Sequence, residues 1–211
     1  MMSEKQKQLA LNLFDVGLIQ FDFEKGWRIK LHEKNPDAPL SPFYIDLRKL
    51  QSYIKTKSEA VSALIELVNN LDYDYVAGIP LAAVALASSM ADKLNRPQIT
   101  PRMDKKTHGQ VRKIDGDFKQ GKTVLLVDDL VTGADSKLEA IEVLEEAGLK
   151  VKDIVVVFDR EQGGSKQLAE KGYSLHAALK IKQTLKFYQE VGRITPDQLK
   201  RLLAYLAAPL G

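Results

Sequence analysis

Residues 123–139 read TVLLVDDLVTGADSKLE. The run Thr123 to Val127 is short, nearly all apolar and bounded by a turn, which predicts a buried strand. It leads directly into Asp128 and Asp129. Past the turn, Ser136 and Glu139 have the spacing of a capping box, so a helix is expected over 136–147, ending at Gly148. The unit is strand, turn, helix.

Working outward, the same unit recurs. Tyr75 to Ile79 reads as a strand followed by a small-residue helix over 81–94. Val151 to Phe158 reads as a strand, 164–171 as a helix, and Ser174 to Leu179 as a further strand. Strands alternating with helices predict an α/β fold with a central, mostly parallel sheet flanked by helices. Toward the N-terminus, Leu9, Leu13 and Val16 predict a helix over 4–17. Three prolines make 33–42 a loop, and Phe43 to Leu47 follows as a strand. Ser58 is placed to cap a helix carrying Val61, Leu64, Ile65 and Val68 on one face. Thr195, Pro196 and Gln198 open a C-terminal helix over 196–207. There is no internal repeat, and 1–211 is expected to form a single domain.

Residues 102–122 break the alternation. They carry seven Lys or Arg, three Asp, three Gly and one His, and few apolar residues. A loop of that length within a compact domain is functional or a solvated connector.

Composition narrows the function classes. Hydrophobic residues make up 45% and charged residues 28%, as in ordinary soluble proteins. The net charge of +3 gives no support for nucleic-acid binding. The absence of cysteine removes thiolate catalysis, disulfides and zinc-thiolate sites. The apolar stretch Leu81 to Ala91 is far shorter than a membrane span. With no signal-like N-terminal stretch, a cytoplasmic location is expected.

Ligands of open parallel sheets bind beyond the carboxyl ends of the strands. Asp128 and Asp129 stand at such an end. Paired carboxylates there either brace a turn or bind sugar hydroxyls or a hydrated Mg²⁺. The turn Val131-Thr132-Gly133-Ala134-Asp135 feeds a helix N-terminus, a ready anion site. Carboxylates for a diol beside amides for an anion suggest a sugar phosphate. A third element, Asp159-Arg160-Glu161-Gln162-Gly163-Gly164, ends the next strand. Arg160 can hold a planar carboxylate or simply pair with Asp159.

These residues carry a resemblance. VLLVDDLVTGADS resembles the phosphoribosyl-pyrophosphate motif of type I phosphoribosyltransferases. PRMDKKTHG resembles the catalytic loop of the orotate phosphoribosyltransferases, and DREQGG and SPFYIDLR resemble that family's orotate-contacting segments. The likeness implies a small N-terminal hood over 1–50 and a mobile basic loop over 102–122. The substrates would be orotate and 5-phosphoribosyl 1-diphosphate, in de novo pyrimidine (UMP) biosynthesis. By resemblance, Asp128 and Asp129 match the pair on the ribose hydroxyls, and Leu130 to Ser136 (Leu130, Val131, Thr132, Gly133, Ala134, Asp135 and Ser136) surround the 5′-phosphate. Arg102, Lys106 and His108 match the loop that grips the diphosphate in a neighbouring subunit, with Lys106 and His108 catalytic beside Asp128 and Asp129. Lys30 lies near the reaction centre. Tyr44, Ile45, Thr132 and Arg160 match the orotate site. The cofactor would be Mg²⁺, held through the diphosphate and water with no protein ligand assigned. A homodimer with shared sites is implied. Whether orotidine 5′-phosphate decarboxylase binds stays open.

The chain departs from the family pattern at Met103, at Ala82 and in the order Gly133-Ala134-Asp135. Asp135 would set a negative charge near a phosphate unless it turns away. His176, in a strand, is expected to be structural. Two other readings remain: a phosphoribosyltransferase for a purine or uracil, and a non-catalytic, nucleotide-sensing regulator that binds RNA.

Overall fold

The strand Thr123–Val131 (β6) lies inside a six-stranded sheet of order β5-β4-β3-β6-β7-β8. The computed structural model describes residues 2–29, 32, 35–103 and 113–208. Around β6 stand β3 (Tyr75–Gly78), β4 (Gln98–Pro101), β7 (Lys150–Asp159) and β8 (Ser174–Lys180), all parallel to their neighbours. Only β5 (Ile114–Asp115) runs antiparallel, against β4. The mostly parallel sheet expected from the alternation is therefore present.

β6 shows why the sheet is apolar on both faces. Leu125 and Val127 join one buried cluster, while Val124 and Leu126 join the other. Successive side chains of a strand point to opposite faces, so each face needs its own cover. Helices α2 (Ile54–Val68) and α3 (Val84–Leu94) supply Leu64, Leu86 and Met90 to the first cluster. Helices α4 (Asp135–Glu146) and α5 (Gly164–Glu170) supply Ile141, Leu144 and Leu168 to the second.

The first face is closed further by α1 (Glu4–Asp15), α6 (Ile181–Glu190) and α7 (Pro196–Ala207). The Tyr188 hydroxyl donates to the Ala10 carbonyl at 2.6 Å, tying α6 to α1. α7 begins with the expected capping box, Thr195 with Gln198, and Pro196 in its first turn. A two-stranded hood, β1 (Ile19–Phe21) against β2 (Phe43–Ile45), adds Ile19, Phe43 and Ile45 to the same core.

Several local expectations need correction. The helix over Ser58 starts at Ile54, so Ser58 lies within it and its carbonyl accepts from the Ser62 hydroxyl. A short 3-10 turn, Leu47–Ser52, delivers the chain to that earlier start, and it also shortens the predicted strand to Ile45. The capping box of Ser136 and Glu139 does not form. α4 begins at Asp135, its cap position is Ala134, and no side chain caps it. Residues 102–122 are not one loop, because β5 pairs with β4 through Thr100–Asp115 and Pro101–Ile114. Two-residue and four-residue strands hold too few positions to show a period. Among the described residues no helix is long and apolar enough to cross a membrane.

Gly78 ends β3 where α3 packs most closely. A Cβ there would lie 2.8 Å from both the Ala83 carbonyl and the Ala87 Cβ. Neither neighbour is a flexible chain end, so overpacking is not relieved cheaply. Gly78→Ala should cost about 1–3 kcal/mol in urea unfolding, and a stability unchanged from the parent would contradict this packing.

Candidate active site

The chain leaves β3 toward β4 on one side and returns to β6 on the other. The strand order therefore reverses between β3 and β6, and the crevice beyond their carboxyl ends is the expected ligand position. Asp128 and Asp129 sit near that end of β6 and are 5% and 9% exposed.

Their environments differ. The Asp128 Oδ2 pairs with Lys137 Nζ at 2.6 Å, and both side chains are almost fully buried. Lys137 Nζ also donates to the Leu130 carbonyl at 2.6 Å. The Asp129 amide donates to Asp128 Oδ1 at 2.9 Å. Lys137 is thus a site residue that the motif reading passed over. Its signal was a lone lysine in the first turn of an amphipathic helix, which by itself looks solvated.

Asp129 has no such lysine contact. Its Oδ1 accepts from the Leu130 amide at 2.7 Å. Burial, and then the neighbouring Asp128 charge, push its carboxyl up to about 7.

The turn after β6 is held from α5. The Arg160 amide donates to the Val131 carbonyl at 3.0 Å, and the Gly164 amide to the Thr132 carbonyl at 2.9 Å. The Ala134 amide donates to Gln167 Oε1 at 2.9 Å. One amide of the predicted phosphate loop is therefore already engaged. A Cβ at Gly164 would meet Val131 Cγ2 at 2.5 Å and the Thr132 carbonyl at 2.8 Å, so glycine is what allows this approach. Gly163 instead serves the turn itself, with φ of 103°. Gly133 is exposed and Thr132 and Ser136 are half-buried. Asp135 is exposed in the first turn of α4, where the helix dipole favours a carboxylate.

Arg160, at the end of β7, is 5% exposed, and its Nε and Nη2 have no hydrogen-bond partner. It does not pair with Asp159, whose Oδ1 instead accepts from the Glu161 amide at 2.7 Å. The guanidinium lies 4.6 Å over the Phe43 ring, a cation–π contact. Burial lowers its pKa to about 10, which still leaves it charged at neutral pH. The side-chain amide of Gln162 is also buried without partners.

The hood reaches this region. Tyr44 accepts from Arg48 Nη2 at 3.0 Å and stacks with Trp27 at 6.1 Å. Phe43 of the same strand lies under the Arg160 guanidinium. Ile45 is 5% exposed in the core, opposite Ile19 in the hood register. Phe43, absent from the predicted site, carries the arginine that Tyr44 and Ile45 were expected to accompany.

Arg102 stands just past β4, where its Nε meets both Asp115 oxygens at 2.9 and 3.0 Å. Met103 packs against the second core cluster, which gives that departure a structural use. Lys30, Lys106 and His108 lie outside the described residues. His176 Nε2 lies 2.7 Å from Asp153 Oδ1, near the amino ends of β7 and β8 and away from the crevice. Among the described residues no group of three or more histidine or acidic side chains could hold a metal ion.

Lys137→Met removes the cation and leaves the buried Asp128 charge uncompensated. It should cost about 3–5 kcal/mol in urea unfolding. Adding Asp128→Asn should recover part of that loss, because the two residues share one interaction. Simple additivity of the two costs would show that the pair is not coupled.

The comparisons agree with this geometry. Residues 54–175 match the family model for the phosphoribosyl transferase domain. The chain is 36% identical over 197 residues to a bifunctional enzyme PyrF/PyrE of a Nostoc species, covering 93% of this chain and 39% of that one. It is 35% identical over 172 residues to an orotate phosphoribosyltransferase of Caenorhabditis elegans, covering 81% and 76%. Among solved structures, the UMP synthase of Leishmania donovani superposes with a TM-score of 0.83 at 32% identity, over 95% of this chain and 42% of that one. The chain thus spans well under half the length of the bifunctional enzyme and the synthase. With its sheet, its acidic pair and these relatives in agreement, the chain belongs to the phosphoribosyl transferase domain family, within the orotate phosphoribosyltransferases.

Proposed function

We propose that this chain transfers the phosphoribosyl group of 5-phosphoribosyl 1-diphosphate to a ring nitrogen of orotate, giving orotidine 5′-phosphate and diphosphate. The observation that carries this is Arg160. A buried guanidinium with two unsatisfied donor atoms calls for a planar anion, and orotate brings a carboxylate. A purine or uracil has no carboxylate to offer and would meet those donors only with neutral acceptors, leaving the buried positive charge without a counter-ion.

The bond from ribose C1 to the diphosphate oxygen breaks and a bond from C1 to the base nitrogen forms. Positive charge develops on the ribose and negative charge on the leaving group. No covalent enzyme intermediate is called for, so rate comes from positioning and electrostatics. Asp128 is committed through Oδ1 to the Asp129 amide and through Oδ2 to Lys137. Asp129 keeps Oδ2 for the ribose hydroxyls. The turn Leu130 to Ser136 at the start of α4 receives the 5′-phosphate. By the family resemblance, Arg102, Lys106 and His108 would meet the diphosphate, Lys106 by charge and His108 by a hydrogen bond, with Lys30 assigned near the reaction centre. Thr132, Tyr44 and Ile45 accompany Arg160 around the base.

Among the described residues no cluster of three acidic or histidine side chains could hold a metal, so a Mg²⁺ ion would be held mainly by the diphosphate and water. When bound, the ion neutralises charge on the leaving group. A two-fold dimer in which Lys106 serves the neighbour's site follows from the family resemblance. The longer bifunctional relative and the UMP synthase support a partner activity that consumes the product, namely orotidine 5′-phosphate decarboxylase.

Two measurements test this function. The ultraviolet absorbance of orotate should fall when 5-phosphoribosyl 1-diphosphate and Mg²⁺ are added. Arg160→Ala should raise the orotate KM and cost ~2–4 kcal/mol in kcat/KM, with the diphosphate-sugar KM nearly unchanged. Orotate kinetics indifferent to that change would remove orotate as the base.

The pH dependence follows from Asp129. Its folded pKa is raised, so between about pH 4 and 7 the folded chain holds a proton that the unfolded chain releases. The contribution of this group to stability is present below that window and is lost as pH rises through it. Ribose hydroxyls donate to the ionised carboxylate, so sugar affinity moves the other way and strengthens as pH rises through 7. Calorimetry from pH 6 to 8 should show that rise for the parent chain. In Asp129→Asn only the titration of the ligand's own phosphates should remain. Identical profiles for the two chains would take Asp129 off the ribose.

A further inference from the structure

Buried tyrosine hydroxyls in this protein generally have a partner. Tyr188 donates to the Ala10 carbonyl, and the Tyr75 oxygen accepts from the Lys119 amide at 3.1 Å. Among the described residues, Tyr205 is the tyrosine whose phenolic oxygen is buried with none. A buried hydroxyl without a hydrogen bond is costly, and tyrosine is normally placed so that its polar end is met.

Tyr205 lies on α7, near the C-terminal end of the chain. The capping box at Thr195 fixes where that helix starts, and buried Leu202 and Leu206 fix which face meets the core. With that face fixed, the Tyr205 ring stands edge-on to Phe43, with centroids 6.0 Å apart and an interplanar angle of 88°. Phe43 is the ring that carries Arg160. The hood, the end of β7 and the C-terminal helix therefore converge on one place. Three orphan polar atoms belong to the two side chains packed on Phe43: Arg160 Nε, Arg160 Nη2 and the Tyr205 oxygen. All three can donate, and no protein acceptor serves any of them. A surplus of donors around a buried cation matches a carboxylate, whose two oxygens offer about four acceptor positions. A bidentate arginine uses two of these and leaves others for a hydroxyl.

We propose that Tyr205 is a substrate-binding residue, its hydroxyl donating to the carboxylate of the base beside Arg160. This rests on the orotate site described above and extends it to the C-terminal helix. That helix then sets selectivity for an acidic pyrimidine over a neutral one.

Tyr205→Phe keeps the ring against Phe43 and removes only the oxygen. Its orotate KM should rise about ten- to a hundredfold, the effect of one hydrogen bond to a charged group. The KM for 5-phosphoribosyl 1-diphosphate and the weak binding of uracil should stay at parent values. Arg160→Ala is measured alongside. An orotate KM within twofold of the parent for Tyr205→Phe, with Arg160→Ala strongly impaired, overturns the Tyr205 role and leaves the base pocket standing. Indifference to both changes overturns the base pocket itself. A parallel rise in both substrate KM values would make the hydroxyl a support of the fold and would also overturn the inference. Loss confined to orotate, and absent for uracil, is the supporting result.

Discussion

The ion pair of Asp128 and Lys137, at 2.6 Å and out of contact with solvent, holds the end of β6 to the first turn of α4. Burying two charges costs more than their attraction returns unless further hydrogen bonds meet them. Here the Leu130 carbonyl takes the lysine and the Asp129 amide takes the carboxylate. The clamp spans the turn between strand and helix, so residues 130–136 cannot change course without breaking it. The position of that turn relative to the acidic pair is fixed by the clamp.

Two charged groups near the crevice are left in opposite conditions. Asp128 is satisfied within the protein, whereas Arg160 has a ring beneath it and donors without acceptors. The first condition rigidifies the framework, and the second reserves interaction energy for a ligand. Asp129 lies between these extremes, with one oxygen on the Leu130 amide and its ionisation opposed by burial and by Asp128. Electrostatic catalysis needs such preorganised groups, because fixed dipoles and charges need not reorient as the reaction proceeds. The same low exposure that makes an unmet donor costly makes its interaction with an anion strong.

The hood and α7 matter because they meet at the Phe43 ring, on which Arg160 rests. Phe43 lies on β2, a three-residue strand with little standing of its own, paired to β1 and packed against the core. Burial of Phe43 and Ile45 holds that strand, and the arginine then rests on the phenylalanine. Specificity toward the base therefore depends on packing far from the strand that carries the acidic pair.

The alternation of β3, β6, β7 and β8 with helices, the acidic pair at the end of β6, the glycines after Arg160 and the cap of α7 were legible in the amino-acid sequence, whereas β1, β4, β5 and α6 were not. Each legible feature is a local pattern: a period of two or 3.6, a turn residue, a capping spacing. Gly164 shows how far that goes, since its glycine signalled a close approach that the Val131 and Thr132 contacts bear out. Ser136 shows where it ends. Its spacing to Glu139 suggested a cap, yet α4 starts one residue earlier because Gln167 on α5 takes the Ala134 amide. No motif singled out Lys137, which is the buried partner of Asp128. Phe43 lay in a predicted strand and Tyr205 in a predicted helix, and both pack around Arg160 through the Phe43 ring. The sequence by itself determined which groups exist and which element carries each. Only the tertiary structure decided which of those groups are buried and which lack a partner, because burial and partnership arise where segments remote along the chain pack together.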